Sequence, residues 1–288
     1  MSEADSTPLF FEPWIQFKTP IVRQLAFCIA SPNILSQKPH ELVIKNNFEL
    51  HNDHHWQELY QSYEARLFQL DDDPSPLIEF IARLKSTRLG LRFENLLWFW
   101  LLDQDFHHYQ LLGHSIQIIN GAVTIGELDF LVLNRRSNEI EHWEVALKYY
   151  LGEMALELKH WYGLNRQDTL NRKLQHFTDR QFQFSEINDY KIQRKFCVLK
   201  GQLYLPTVCN SQRPLPTWIN NRRRIGEWGT HIPIAQYHRL QRHEWLCPNR
   251  EVSSTSAKWW TDGLYHDPNS EPQFYMFRTS LFKQTYVV

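Results

Sequence analysis

The chain has 288 residues, 42% of them hydrophobic and 22% charged, with a formal net charge of −1. At roughly 100–200 residues per domain this is one large domain or two small ones, with apolar residues enough for an ordinary core, which excludes a disordered tail or a fibre. The longest apolar run, near Leu96–Leu102, is far short of the ~20 residues that span a bilayer. No signal-peptide pattern opens the chain. Its four cysteines include no C-x-x-C pair, which fits a reducing cytoplasm rather than a disulfide scaffold or zinc ribbon.

Taken in chain order, residues 1–15 read as a loose arm. Val22, Leu25, Ala26 and Ile29 have helical spacing within 20–30. A second helix is expected from Trp56 to Leu70, ending at Asp71-Asp72-Asp73-Pro74. Pro76 opens a third, with Leu77, Phe80, Ile81 and Leu84 as its buried stripe. Gly90 reads as a break, and Arg92–Asp103 as a helix apolar on nearly every face, hence buried between layers. The period then changes. Ser115–Ile119 is a strand, Asn120-Gly121 a hairpin signal, Glu127–Asn134 a second strand, Asn134–Asn138 a turn and Ile140–Leu151 a third strand. A helix follows with Asp168 as N-cap and Leu170, Leu174 and Phe177 inward. Phe196–Leu205 is strand, and the tail from Pro206 is short aromatic-rich strand and loop. The sum is a mixed α/β fold: an α-β-β-β-α-β core over 87–206, an N-terminal helical cap over 1–86, and a C-terminal β-rich extension over 207–288.

Charge is uneven. Residues 191–250 hold eleven Lys or Arg against Glu227 and Glu244, a net of +9, while residues 51–80 net −6. One face could then meet a polyanion while the whole stays near neutral, the plain alternative being solvated surface. Most of the eleven tryptophans belong in the core, a few being available as stacking platforms.

The chemistry concentrates on the two inner strands. Side chains alternate along a strand, so Glu127 and Asp129 share a face, as do Glu144, Ala146 and Lys148. Carboxylates on a half-buried sheet are costly unless paired or bound to a cation. Mg²⁺ takes one or two carboxylates plus waters and phosphate oxygens, and a nearby lysine can orient water or stabilise charge growing on phosphorus. The structural alternative is a hairpin with a Glu144–Lys148 or Asp129–Lys148 ion pair on its wet face. Glu94, in the buried helix, is expected to face the same packing surface. Lys173, His176 and Arg180 form a basic stripe on the following helix. His51-Asn-Asp-His54-His55 reads as a polar connection, and His107-His108 as a helix end. No G-x-S-x-G, P-loop or G-x-G-x-x-G occurs, which argues against hydrolase-elbow, NTPase and dinucleotide chemistry.

These residues together resemble the PD-(D/E)XK, or restriction-endonuclease-like, nuclease superfamily, which carries an acid on its first core helix, an Asp on its second strand and an acid-x-Lys on its third. More closely, the chain resembles the Domain of Unknown Function 1853 family. The matching stretches are Arg88–Glu94, Thr124–Phe130, His142–Gly152, Trp161–Asn165 with Asp168–Leu174, and Pro20–Ala26. Leu164 stands where proline is expected. The resemblance implies that Asp129 and Glu144 hold Mg²⁺, or Mn²⁺ in its place, with Glu127 as a substitute ligand. It implies that Lys148 acts on the water or phosphate, that Glu94 completes the acidic cluster, and that Lys173, His176 and Arg180 grip nucleic acid, DNA before RNA. One departure stands out: the acid usually sits two residues before the lysine, where this chain has Ala146, and Glu144 lies four back. The alternative function is an inactive fold that binds nucleic acid or a protein partner; the oligomeric state is left open.

Overall fold

The computed structural model describes residues 10–208, 214–234, 236–253 and 259–278. The first nine residues of the expected arm lie outside that range. The rest of the arm is not loose: Pro13–Gln16 forms a short 3-10 turn whose Trp14 is buried against Phe27. An indole has too much apolar surface to leave in water at the end of a chain when a core face lies beside it.

Helix α1 (Pro20–Ala30) begins on proline, and the Val22 and Arg23 N–H groups both close on the Thr19 carbonyl. Helix α2 (Asp53–Asp72) starts three residues before Trp56 because the Asn52 side chain caps it, accepting from the His55 N–H at 2.8 Å. The histidine tract therefore runs into a helix rather than filling a connection. Helix α3 (Ser75–Ala82) carries Pro76 in its first turn and buries Leu77 and Ile81, while Leu84 lies beyond its end. Helix α4 (Leu89–Leu102) includes Gly90 in its first turn instead of breaking there. Glycine is tolerated at that point because the helix starts at the Arg88 carbonyl, which takes the Arg92 N–H.

Strand β1 (Tyr109–Asn120) is longer than its apolar core suggests, and His107 caps the end of a 3-10 turn over Gln104–Phe106 just before it. A turn at Gly121 (φ 61°) leads to β2 (Val123–Asn134), and a turn with Asn138 at φ 57° leads to β3 (Glu139–Gly152). Two-residue β4 (Trp161–Tyr162) pairs with the end of β3. Helix α5 (Leu170–Asp179) buries Leu170, Leu174 and Phe177 as expected, but its cap is Thr169, whose hydroxyl accepts from the Arg172 N–H. A small hairpin, β5 (Glu186–Ile187) and β6 (Tyr190–Lys191), precedes β7 (Arg194–Pro206). Four short strands follow: β8 (Gly226–Gly229), β9 (His238–Arg239), β10 (Gly263–His266) and β11 (Phe274–Phe277).

All except the β5–β6 hairpin join one mixed sheet, ordered β1-β2-β3-β7-β8-β11-β10-β9 with β4 on β3. The first three strands are antiparallel neighbours, and β7 runs parallel to β3. That parallel return requires a crossover, and α5 lies within it. The strands of 226–277 continue the same sheet. Alternation along β3 separates two cores. Trp143, Val145 and Leu147 face α1, α2 and α4, whereas Ala146 and Tyr150 face α5 with Leu170, Leu174 and Phe177. Among the described residues no helix is long and apolar enough to cross a membrane.

A candidate active site at the end of the inner ladder

The β2–β3 ladder runs from Asn134 opposite Glu139 to Phe130 opposite Trp143, and there it stops. At the next position Asp129 Oδ2 accepts the Val145 N–H at 2.8 Å, so a side chain stands where a strand carbonyl would be. Asp129 and Glu144 also act on each other: the Glu144 charge raises Asp129, and the Asp129 backbone and carboxyl group lower Glu144. Glu144 has no solvent exposure. His142 Nε2 lies 2.6 Å from its Oε1, and the Gln181 amide donates to its Oε2. From α5, Lys173 reaches the same place: its Nζ lies 3.3 Å from Gln181 Oε1 and 3.9 Å from the centre of the Phe177 ring.

Burial sets the electrostatics. Asp129 is pushed up to about 8, first by desolvation and then by the Glu144 charge, against the Val145 hydrogen bond. Glu144 is raised by burial, with Lys173 opposing. Lys173 is lowered by desolvation while Glu144 holds it up. His142 is lowered to about 3 by burial and is neutral, with Nδ1 unpartnered. Neighbouring carboxyl groups, Glu144 fully buried and Asp129 half-buried, oppose each other's charge, which favours a proton held by the pair.

The other expected site residues are distributed around this pair. Glu94 lies 2.8 Å from His114 Nε2, and that imidazole stacks on Trp98 and Phe130. Its helix packs on the Trp143–Leu147 face, opposite α5, so it does not share the packing surface of Glu144. It still raises Asp129 through its charge. Lys148 pairs with neither inner acid. Its Nζ donates to Asp168 Oδ2 at 2.6 Å, and the Tyr150 hydroxyl donates to Asp168 Oδ1 at 3.3 Å. Asp168 is thus a partner for the lysine rather than the helix cap. Glu127 is exposed across from Gln117 on the outer part of the hairpin. Of the basic stripe, Lys173 turns inward while His176 and Arg180 stay exposed. Arg172, Lys173 and His176 line an opening of about 270 Å³ with Asn165, Gln167 and Asp168. The +9 window forms no single face. Lys200 is fully buried over the Trp56 ring, Arg223 is buried, Arg194 and Arg224 pair with Glu49 and Glu12, and Arg213 lies outside the described residues.

Among the described residues no group of three or more His, Cys, Asp or Glu is arranged to hold a metal ion. What stands there is a pair, Asp129 with Glu144. A pair suits Mg²⁺, which takes one or two protein carboxylates and completes its shell with water and phosphate oxygens.

Four residues of this neighbourhood escaped the sequence. His142 was available, since it shares the strand face of Glu144 by period two. His114, Asp168 and Gln181 arrive from other elements, and no local spacing announces them.

Fold and site together define a mixed α/β protein with a carboxyl pair, Glu144 buried and Asp129 half-buried, where two strands part beside helix α5. The chain belongs to the family described as Domain of unknown function (DUF1853), whose profile matches residues 23–276. No curated protein and no solved structure matches it.

Proposed function

We propose that this protein is a divalent-metal-dependent enzyme of the PD-(D/E)XK nuclease type, cleaving phosphodiester bonds of nucleic acid, DNA before RNA. The observation that carries the reading is the Asp129–Glu144 pair at the end of the β2–β3 ladder, with Lys148 further along the same strand face. The element order supports it: helix α4, three antiparallel strands, helix α5, and β7 parallel to β3. That order is the one the superfamily resemblance implies.

In this reading Asp129 and Glu144 would be the residues that hold Mg²⁺ or Mn²⁺, in their deprotonated forms. The cation, when bound, would supply Lewis-acid polarisation of the phosphate and a coordinated water more acidic than bulk water. Lys148, kept in place by Asp168, orients that water or meets the charge growing on phosphorus. Lys173 balances the carboxylates, and Arg172 and His176 flank the opening through which a phosphate backbone reaches them. Glu94 adjusts Asp129 through its charge.

A second reading has its own observation. Ala146 occupies the usual acid position, and Glu144, Asp129 and Lys148 are each already engaged by protein partners. That arrangement favours a catalytically inactive module that binds nucleic acid or a protein. The deciding assay incubates the protein with Mg²⁺ or Mn²⁺ and single-stranded, nicked, branched and duplex DNA, and RNA. Cleavage that falls about a hundredfold or more in Lys148→Ala and in Asp129→Asn supports the enzyme. No cleavage of any substrate by the wild type overturns it in favour of the inactive module.

A further inference from the structure

The Pro13–Gln16 turn, Arg23 of α1 and the short strands and loops of the tail line a second cavity of about 270 Å³ that shares no residue with the carboxyl pair. Arg23, from the Pro20–Ala26 stretch, lines it and is only 4% exposed. Its Nε and Nη1 have no hydrogen-bond partner, and it enters no ion pair among the described residues. What it does meet is the Cys247 thiol, a weak acceptor. A buried guanidinium left in this state is costly and calls for a counter-charge. The contrast inside the same wall is sharp: Arg224 is answered by Glu12 at 2.7 Å and Glu271 at 3.3 Å, and Arg250 by the Ile15 and Gln16 carbonyls.

Two further polar atoms of the lining are buried without partners, His266 Nδ1 and Asn249 Oδ1. Burial and the neighbouring His238 lower His266 to about 4, so it is a neutral donor or acceptor at pH 7. Trp14, Ile15, Val252 and Phe274 make the apolar part of the wall, and Glu12, already paired with Arg224, lines it with His238 and Gln273.

We infer that this cavity is a binding site for a small organic anion, a carboxylate or phosphate monoester with an apolar body, whose charged end pairs with Arg23. Guanidinium matches the geometry of both anions. His266 and Asn249 complete the polar end, and Trp14 and Phe274 receive the body. The cavity is too small for a nucleic-acid strand, and it shares no residue with the carboxyl pair or the opening over α5. The inference is independent of the proposed nuclease activity.

The test is calorimetric titration of the full chain with benzoate, phenyl phosphate, inorganic phosphate and the neutral isostere benzyl alcohol. The expected result is saturable binding of benzoate or phenyl phosphate, whichever fits, with benzyl alcohol about thirtyfold weaker or not bound. Inorganic phosphate alone binding as well as phenyl phosphate would remove the apolar body from the claim and overturn it. Arg23→Met is expected to abolish anion binding with an unchanged or raised Tm, since it replaces an unanswered charge by apolar bulk. Val252→Trp is the second variant: Val252 is 56% exposed at the rim, so the change obstructs the mouth without touching the core. No binding of either aromatic anion to the wild type, or binding that survives both variants, overturns the assignment.

Discussion

Asp129 favours its protonated form at neutral pH because desolvation, Glu144 and Glu94 oppose its charge, against the Val145 N–H and Lys173. Its folded value of about 8 lies above the value of ~3.9 expected unfolded. Between those limits the native state binds more protons than the unfolded chain. The associated stability is full below about pH 4 and is lost as pH rises through about 8, at up to ~1.4 kcal/mol per pH unit for one group. Asp129→Asn mimics the protonated form. Its urea midpoint is expected to match the wild type only near about pH 3.5, to exceed it modestly near about pH 5 and to exceed it most near about pH 9. A variant that loses stability at the two higher pH values would make Asp129 a structural ion-pair partner instead. Lys148→Ala belongs at the same scale. The Lys148–Asp168 pair is partly solvated, with side chains 27% and 38% exposed. Losing it is expected to cost ~1 kcal/mol or less, so a lost activity in that variant reads as chemistry rather than unfolding.

At the level of elements, the strands and the buried α4 were legible because apolar periodicity is strong there, and the glycine and asparagine turns between β1, β2 and β3 were legible from turn chemistry. Cap positions were less so. Asp168 and Thr169 are both good caps by type, and only the structure shows that Asp168 is taken by Lys148 while Thr169 receives the Arg172 N–H. Thr169→Ala is therefore expected to lower stability by ~1 kcal/mol in thermal melts, whereas Asp168→Asn leaves the cap intact. The basic window misled for a related reason: charge summed along the chain ignores that Lys200 and Arg223 point into the core. The contact of β3 with β7 is closest where Gly201 faces Lys148. Gly201 has φ +125°, and a Cβ there would stand 1.9 Å from the Lys148 carbonyl oxygen. Gly201→Ala is expected to destabilise by ~3 kcal/mol or more and to disturb the strand that carries Glu144 and Lys148, read as a lower urea midpoint. An unchanged midpoint would mean that the β3–β7 approach is looser than described.

For the whole molecule, buried histidines set the acid limit as the carboxyl pair sets the alkaline one. Burial lowers His55, His108 and His266 to about 4 and His142 to about 3, and drives His51 well down. Each binds fewer protons folded than unfolded below its ordinary value of ~6.5, so stability is lost as pH falls through that region. Thermal melts across pH are expected to give a maximum near about pH 6.5, with losses on both sides. The central claim is that Asp129 and Glu144 are held together for a divalent cation, which must displace their proton. Calorimetric titration with Mg²⁺ and Mn²⁺ at neutral pH, in two buffers of different ionisation heat, tests this most directly. The account predicts one binding event that releases about one proton per metal ion and disappears in Asp129→Asn. No binding to the wild type, or binding without proton release that survives in Asp129→Asn, would contradict it.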